Sequence, residues 1–249
     1  MFYRSISRIV LIISMFFVAI PSVFAVVITH TVTIQPIVVS DTSGSNTATF
    51  FGSMAQQDSI ESSIDNIWEQ AGIDVNFLEA NEWNNTFANT GTTDPRPGFD
   101  LSTIVNSATT AGVIHSNLDF INLFFVNIPA GFGSLGTNNA AGFAFINGNG
   151  ITQYVGSGLL DFSGGRDVIA DVVAHEIGHN LGLFHTASGI NNLMSPNGVG
   201  DLLTADQIET ALNSRFSISA VPVPATIWFM ISGLLVLFSI SRNRSQLYN

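Results

Sequence analysis

The chain has 249 residues, 46% of them hydrophobic, with no cysteine and a formal net charge of −11. That length can bury one sizeable core, and the lack of cysteine excludes both a disulfide framework and thiolate metal ligands. Arg4, Arg8, Arg242 and Arg244 lie in the two ends, which leaves the body three arginines, no lysine and 18 acidic residues; such a surface repels nucleic acid and anionic lipid.

Residues 1–25 carry Arg4 and Arg8, then an apolar run from Ile9 to Ile20, then Val23-Phe24-Ala25 with small residues where a cleavage site needs them. This reads as a secretory signal peptide, the apolar run being short for a permanent span. The alternative is a buried N-terminal helix. Residues 26–39 are rich in Val, Ile and Thr and predict a strand, which Pro36 should interrupt or place at an edge. Residues 40–46 form a turn. In 58–71, Ile60, Ile64, Ile67, Trp68 and Ala71 fall at helical spacing, with Gly72 as C-terminal cap. Ile73-Asp74-Val75-Asn76-Phe77 alternates and predicts a half-buried strand, so the helix leads directly into it.

Residues 81–98 are polar and irregular and predict a long surface loop. A second helix is expected over 101–111 and a buried strand over 119–128. His30 and His115 read as packing or loop histidines. A glycine and asparagine loop over 131–141 precedes Gly142-Phe143-Ala144-Phe145-Ile146. Asn147-Gly148-Asn149-Gly150 is a turn signal, and residues 151–155 predict the paired strand. A helix over 166–181 then presents a broad apolar face through Val168, Ile169, Val172, Val173 and Ile177.

That helix ends in His175-Glu176-Ile177-Gly178-His179-Asn180-Leu181-Gly182-Leu183-Phe184-His185, which fits H-E-x-x-H-x-x-G-x-x-H. His175 and His179, four residues apart, leave one helix face a turn from each other and can hold one metal ion between them. Gly182 stands where a left-handed turn would end the helix and bring the chain back. His185 then becomes a third nitrogen ligand, leaving a fourth tetrahedral position to water as catalytic zinc requires. Glu176, beside the pair, is the candidate base for that water. A bare H-E-x-x-H is a weak pattern; five fixed positions over eleven residues are far more specific.

These residues resemble the metzincin zinc-binding motif, and Asn180 with Leu181 makes them most similar to the reprolysin or adamalysin branch. The resemblance implies a methionine turn under the metal, and Asn192-Leu193-Met194-Ser195-Pro196 is similar to it, nominating Met194. The other reading of Met194 is a core methionine before a Ser-Pro turn. Some metzincins place a tyrosine two residues after the methionine; here that position is Pro196, so no tyrosine ligand is expected. The resemblance also implies that 141–146 is the edge strand that binds extended substrate through its main chain, although an ordinary hairpin fits the same residues. A helix ending in glycine before a strand, as at 58–77, resembles the opening of several metzincin catalytic domains.

After this, Thr204 is placed to cap a helix carrying Ile208, Ala211 and Leu212, and the body should end near Phe216. Residues 217–224 read as linker and motif, ending in Val221-Pro222-Val223-Pro224. An apolar run over 225–240 is closed by Arg242 and Arg244, so 225–249 reads as a marginal transmembrane segment with a basic cytoplasmic end. Short proline motif, hydrophobic segment and basic terminus together resemble the PEP-CTERM sorting signal, though the literal Pro-Glu-Pro is absent. That resemblance implies processing by an exosortase-type enzyme of Gram-negative bacteria; a simple C-terminal anchor is the alternative.

The expected molecule is an α/β zinc protease domain over 26–216, with a mixed, partly antiparallel sheet, an active-site helix and a C-terminal helix, exported and acting on protein or peptide. The competing expectation is a non-catalytic zinc-binding protein of a surface or biofilm matrix, against which the intact Glu176 speaks: a structural zinc site has no use for a base.

Overall fold

A computed structural model of the chain describes residues 26–91, 93–131, 139–155, 162–163, 166–188, 190–196 and 200–220. The signal-peptide, sorting-motif and transmembrane expectations for 1–25 and 221–249 lie outside them. Among the described residues no helix is long and apolar enough to cross a membrane.

The sheet is built around β1 (His30–Ser40) and β5 (Ile121–Val126), which pair in parallel from Ile34↔Ile121 to Val38↔Phe125. On β1 also lie β2 (Ile73–Phe77) and β3 (Asn81–Asn84), both parallel to it, and β12 (Ile218–Ser219), antiparallel. On β5 lies β9 (Ile151–Tyr154), parallel, and on β9 lies the antiparallel edge strand β8 (Gly142–Ala144). The sheet is therefore mixed, as expected.

Side-chain alternation divides this sheet into two apolar faces. Val32 and Ile34 of β1 with Ile121, Leu123 and Phe125 of β5 pack against α1 (Met54–Glu69) and α4 (Val168–Asn180) through Ile60, Ile64, Trp68, Ile169, Val173 and Ile177. Ile37, Val39, Phe124 and Val126 face the other way, onto α3 (Asp100–Ala111) through Ile104 and Ala108. Helices on both faces explain why β5 reads as a continuous apolar run, buried at all six positions.

Helix α1 begins four residues before the predicted 58, because Ser53 and Gln56 make a reciprocal capping box. Pro36 lies in an interior strand rather than at an edge. The Ile34 carbonyl accepts from Leu78 N–H, so Pro36, two residues on, faces the same side, where β2 has ended and β3 has not begun. Its missing N–H thus has no ladder partner to lose, and Gln35 Nε2 fills the gap by donating to the Pro36 and Glu79 carbonyls.

The predicted loop over 81–98 contains β3, a one-turn α2 (Thr86–Asn89) and β4 (Arg96–Pro97). Buried Arg96 organises it by donating to the carbonyls of Phe87 and Ala88 at the end of α2. Strand β4 pairs with β6 (Ala130–Gly131), which pairs with β7 (Asn139–Ala140). A two-residue pairing of β10 (Phe162–Ser163) and β11 (Arg166–Asp167) precedes α4, which starts at Val168 rather than 166. Helix α5 (Ala205–Leu212) has the expected Thr204 cap, completed as a box by Gln207. The folded region runs past Phe216: β12 pairs with His30 and Thr31, and Ala220 N–H donates to the Thr29 carbonyl. Both β12 residues are exposed, so no apolar pattern announces them.

Candidate metal centre

Helix α4 carries His175, Glu176 and His179 on a stretch that is buried throughout. It ends at Asn180, and two residues on stands Gly182, whose φ of 97° is the left-handed conformation anticipated there, while Leu183 N–H turns back onto the Gly178 carbonyl. The reversal delivers His185. Its Nε2 lies 3.1 Å from Nε2 of His175 and 3.1 Å from Nε2 of His179. A tetrahedral zinc with bonds of about 2.0–2.1 Å separates its nitrogens by roughly 3.3 Å, so the three rings stand almost at ligand spacing. Three histidines and no other titratable group make up this cluster among the described residues.

The buried rings are oriented from behind. His175 Nδ1 lies 2.6 Å from the Leu193 carbonyl, and His179 Nδ1 lies 2.8 Å from that of Leu183. A carbonyl only accepts, so each Nδ1 carries the proton and each Nε2 presents its lone pair to the centre. Burial pushes the His175 imidazole down to about 4, and it lowers His179 and His185 as well. Neutral rings at neutral pH are what a metal needs. The donor set therefore fits zinc on its own chemistry.

Glu176 is 7% exposed and its carboxyl is pushed up to about 8, first by burial, against a hydrogen bond from Ala144 N–H that pulls it back. Ala144 belongs to β8, which crosses beside α4 as the last strand of the sheet. Tyr154 N–H donates to the Ala141 carbonyl, so the pair 141–154 is hydrogen-bonded and the main-chain groups of Gly142 and Ala144, by alternation, face away from β9. Among the described residues no strand pairs with that edge, and there β8 meets the Glu176 carboxyl.

Met194 is fully buried in a turn under the helix. A Cβ on Gly178 would stand 2.5 Å from its sulfur, so the glycine between the two helical histidines is what lets the methionine in. The turn is tied by Thr186 N–H to the Met194 carbonyl and by Met194 N–H to Asn192 Oδ1. Asn192 in turn exchanges two side-chain amide hydrogen bonds with Gln207, the same residue that caps α5. Pro196 is exposed beyond it.

The six site residues nominated from sequence, His175, Glu176, His179, Gly182, His185 and Met194, thus share one locality. His30 and His115 lie elsewhere, beside Ser219 and Phe120 respectively. Sequence reading missed the carbonyls of Leu183 and Leu193 and the Ala144 N–H, since backbone groups carry no residue signature. It placed Asn192 and Asn180 in motifs without giving either a role; Asn180 Nδ2 donates to the Phe145 carbonyl and moors the helix end to the β8–β9 connection. An asparagine two residues before Met194 was a readable turn signal.

The chain is similar to solved structures of metalloproteinase-II from Bacteroides fragilis (15% identity, 78% of this chain and 55% of that one, TM-score 0.49) and of a zinc-dependent peptidase from Methanocorpusculum labreanum (12%, 72% and 99%, 0.49). It is also similar to archaemetzincin from Archaeoglobus fulgidus (15%, 72% and 99%, 0.39). The chain spans little more than half the length of the Bacteroides protein. No curated protein matches it. Residues 54–186, more than half of the sequence and including all three histidines, match the model described as metallo-peptidase family M12B, reprolysin-like. The chain belongs to the reprolysin-like M12B metallopeptidase family.

Proposed function

We propose that the chain is an exported zinc-dependent endopeptidase in which His175, His179 and His185 hold the metal and Glu176 is the catalytic base. The observation that carries this reading is the convergence of the three Nε2 atoms of His175, His179 and His185, with the buried Glu176 carboxyl next to His175 on α4. Zinc held there supplies Lewis acidity towards a peptide carbonyl and brings the pKa of a bound water to about 7. Glu176 takes the proton of the attacking water and passes it to the leaving amine as the C–N bond breaks.

An extended peptide adds to the outer edge of β8, where the main-chain groups of Gly142 and the Ala144 carbonyl face outward, the Ala144 N–H being bonded to Glu176. Met194 supports the site from below, and Gly182 makes the turn that returns His185.

The two ends extend the proposal to location. Residues 1–25 direct export, 26–220 form the protease body, and 225–249 hold the precursor in the inner membrane with Arg242 and Arg244 on the cytoplasmic side. The Val221–Pro224 motif is the site of an exosortase-type processing enzyme that releases the body to the cell surface or matrix. The charge asymmetry and order of these segments support that reading.

Zinc content and hydrolysis of a broad peptide library by the purified protein test the function together. The expected result is one zinc per chain and chelator-sensitive cleavage. Bound zinc with no turnover would reject the protease in favour of a zinc-binding surface or matrix protein.

A further inference from the structure

The geometry points to Gly142 as a positioning residue for Glu176: its missing side chain is the space the base occupies. This inference rests on the proposed role of Glu176 and deepens it.

A Cβ built on Gly142 would stand 2.7 Å from Glu176 Cγ, 3.1 Å from its Oε1 and 2.9 Å from Val172 Cγ1. Real Cβ contacts do not reach 2.7 Å, so any other residue at 142 moves something. Strand β8 has little freedom to give way. On one side it is paired with β9 from Gly142↔Gln153 to Ala144↔Ile151. Phe143, pointing away from the helix, packs against Gly98, where an added Cβ would meet its ring at 2.7 Å. Helix α4 is equally held, by the sheet core and by the carbonyl contacts of its histidines. The side chain of Glu176 is the movable part.

Two residues later the same strand supplies the partner for the displaced space: Ala144 N–H donates to the Glu176 carboxyl. Gly142 and Ala144 share the helix-facing side of β8, one giving room to the methylenes and the other a donor to the oxygens. The edge strand thereby does two jobs. It offers main chain to a peptide and it aims the base, so the reacting water and the scissile carbonyl are located from one element. A base shifted by about 1 Å loses on the order of 100-fold in rate.

Substituting the full-length chain tests this. In Gly142→Ala, kcat is expected to fall about 100-fold, with KM within about twofold and one zinc per chain retained. Val172→Ala removes one of the two clashes and leaves that with Glu176, so Gly142→Ala/Val172→Ala should keep the kcat defect. Recovery of kcat in that double variant would overturn the inference, because Gly142 would then serve helix packing only. A second readout does not need activity. In the Val172→Ala background, Gly142→Ala should lower the Tm by about 5 °C when Glu176 is present and leave it unchanged when Glu176 is Ala. Equal Tm losses in both backgrounds would also overturn it. A wild-type protein without turnover but with this Tm coupling removes the protease reading and keeps the cradle.

Discussion

At the scale of the residue, the roles proposed for the members of the centre are separable. His185 is the most exposed of the three histidines and is delivered by the turn at Gly182, with the neighbouring Thr186 N–H bonded to the Met194 carbonyl. His185→Ala should lower zinc affinity and largely abolish hydrolysis without unfolding the chain, as read by zinc titration beside circular dichroism. Retention of stoichiometric zinc at wild-type affinity would contradict the three-histidine centre. Glu176→Ala, in contrast, should keep one zinc per chain while hydrolysis falls by several orders of magnitude; loss of zinc would make Glu176 a ligand. The zinc-free protein carries a further signature. Burial lowers the proton affinity of His175, giving stability that rises with pH between about 4 and 6.5. It raises that of Glu176, so the folded state binds more protons than the unfolded one from about 4.5 to 8, and stability falls across that window. Burial lowers His179 and His185 in the same sense as His175, so the histidine and Glu176 slopes oppose each other below pH 6.5, and of these groups Glu176 acts alone above it. Between pH 6.5 and 8 the chelated wild type should lose on the order of 1–2 kcal/mol relative to Glu176→Gln. Parallel denaturant curves for the two proteins at both pH values would remove that assignment.

At the scale of the element, the centre depends on segments that contribute no ligand. Gln207 closes the capping box of α5 and also binds Asn192, which shapes the turn whose Leu193 carbonyl orients His175. Gln207→Ala should therefore cost about 1–3 kcal/mol and weaken zinc binding about tenfold. Ser53→Ala removes a comparable cap from α1, far along the chain from the turn, and should cost about 1 kcal/mol with zinc affinity unchanged. Zinc titrations of the two variants side by side distinguish a cap that only holds a helix from one that also holds the metal site. The β8–β9 hairpin has a comparable dual position, moored by Asn180 to the end of α4 and lending Ala144 to Glu176.

At the scale of the whole molecule, two helical layers enclose the sheet, and the centre sits where the end of α4, the edge of β8 and the methionine turn converge. The proposed route to the surface makes a claim about the mature chain. Mass spectrometry of protein recovered from a host that possesses the processing enzyme should find a C-terminus close to Pro222 or Pro224. An intact Asn249 terminus in the inner membrane would leave a simple anchor. The close approach of the body's two ends, with Ala220 bonded to Thr29, means that such a cut would fall directly beyond the last residue of the sheet.

What the sequence by itself determined is local. Two histidines at helical spacing, a glycine able to take φ of 97° and a third histidine after it specify the three-histidine cluster within eleven residues, because helix geometry and backbone sterics act over single turns. The same locality made α4, α5, β2 and β5 legible from periodicity and caps. The tertiary structure decided what depends on residues distant in the chain. Pro36 is tolerated inside the sheet because two other strands leave a gap opposite it, and 218–219 become a strand because His30 and Thr31 lie beside them. The tautomers of His175 and His179, the room for Glu176 at Gly142 and the burial that raises its proton affinity belong to this class. Backbone carbonyls, N–H groups and empty space have no residue type, so only packing brings them into play.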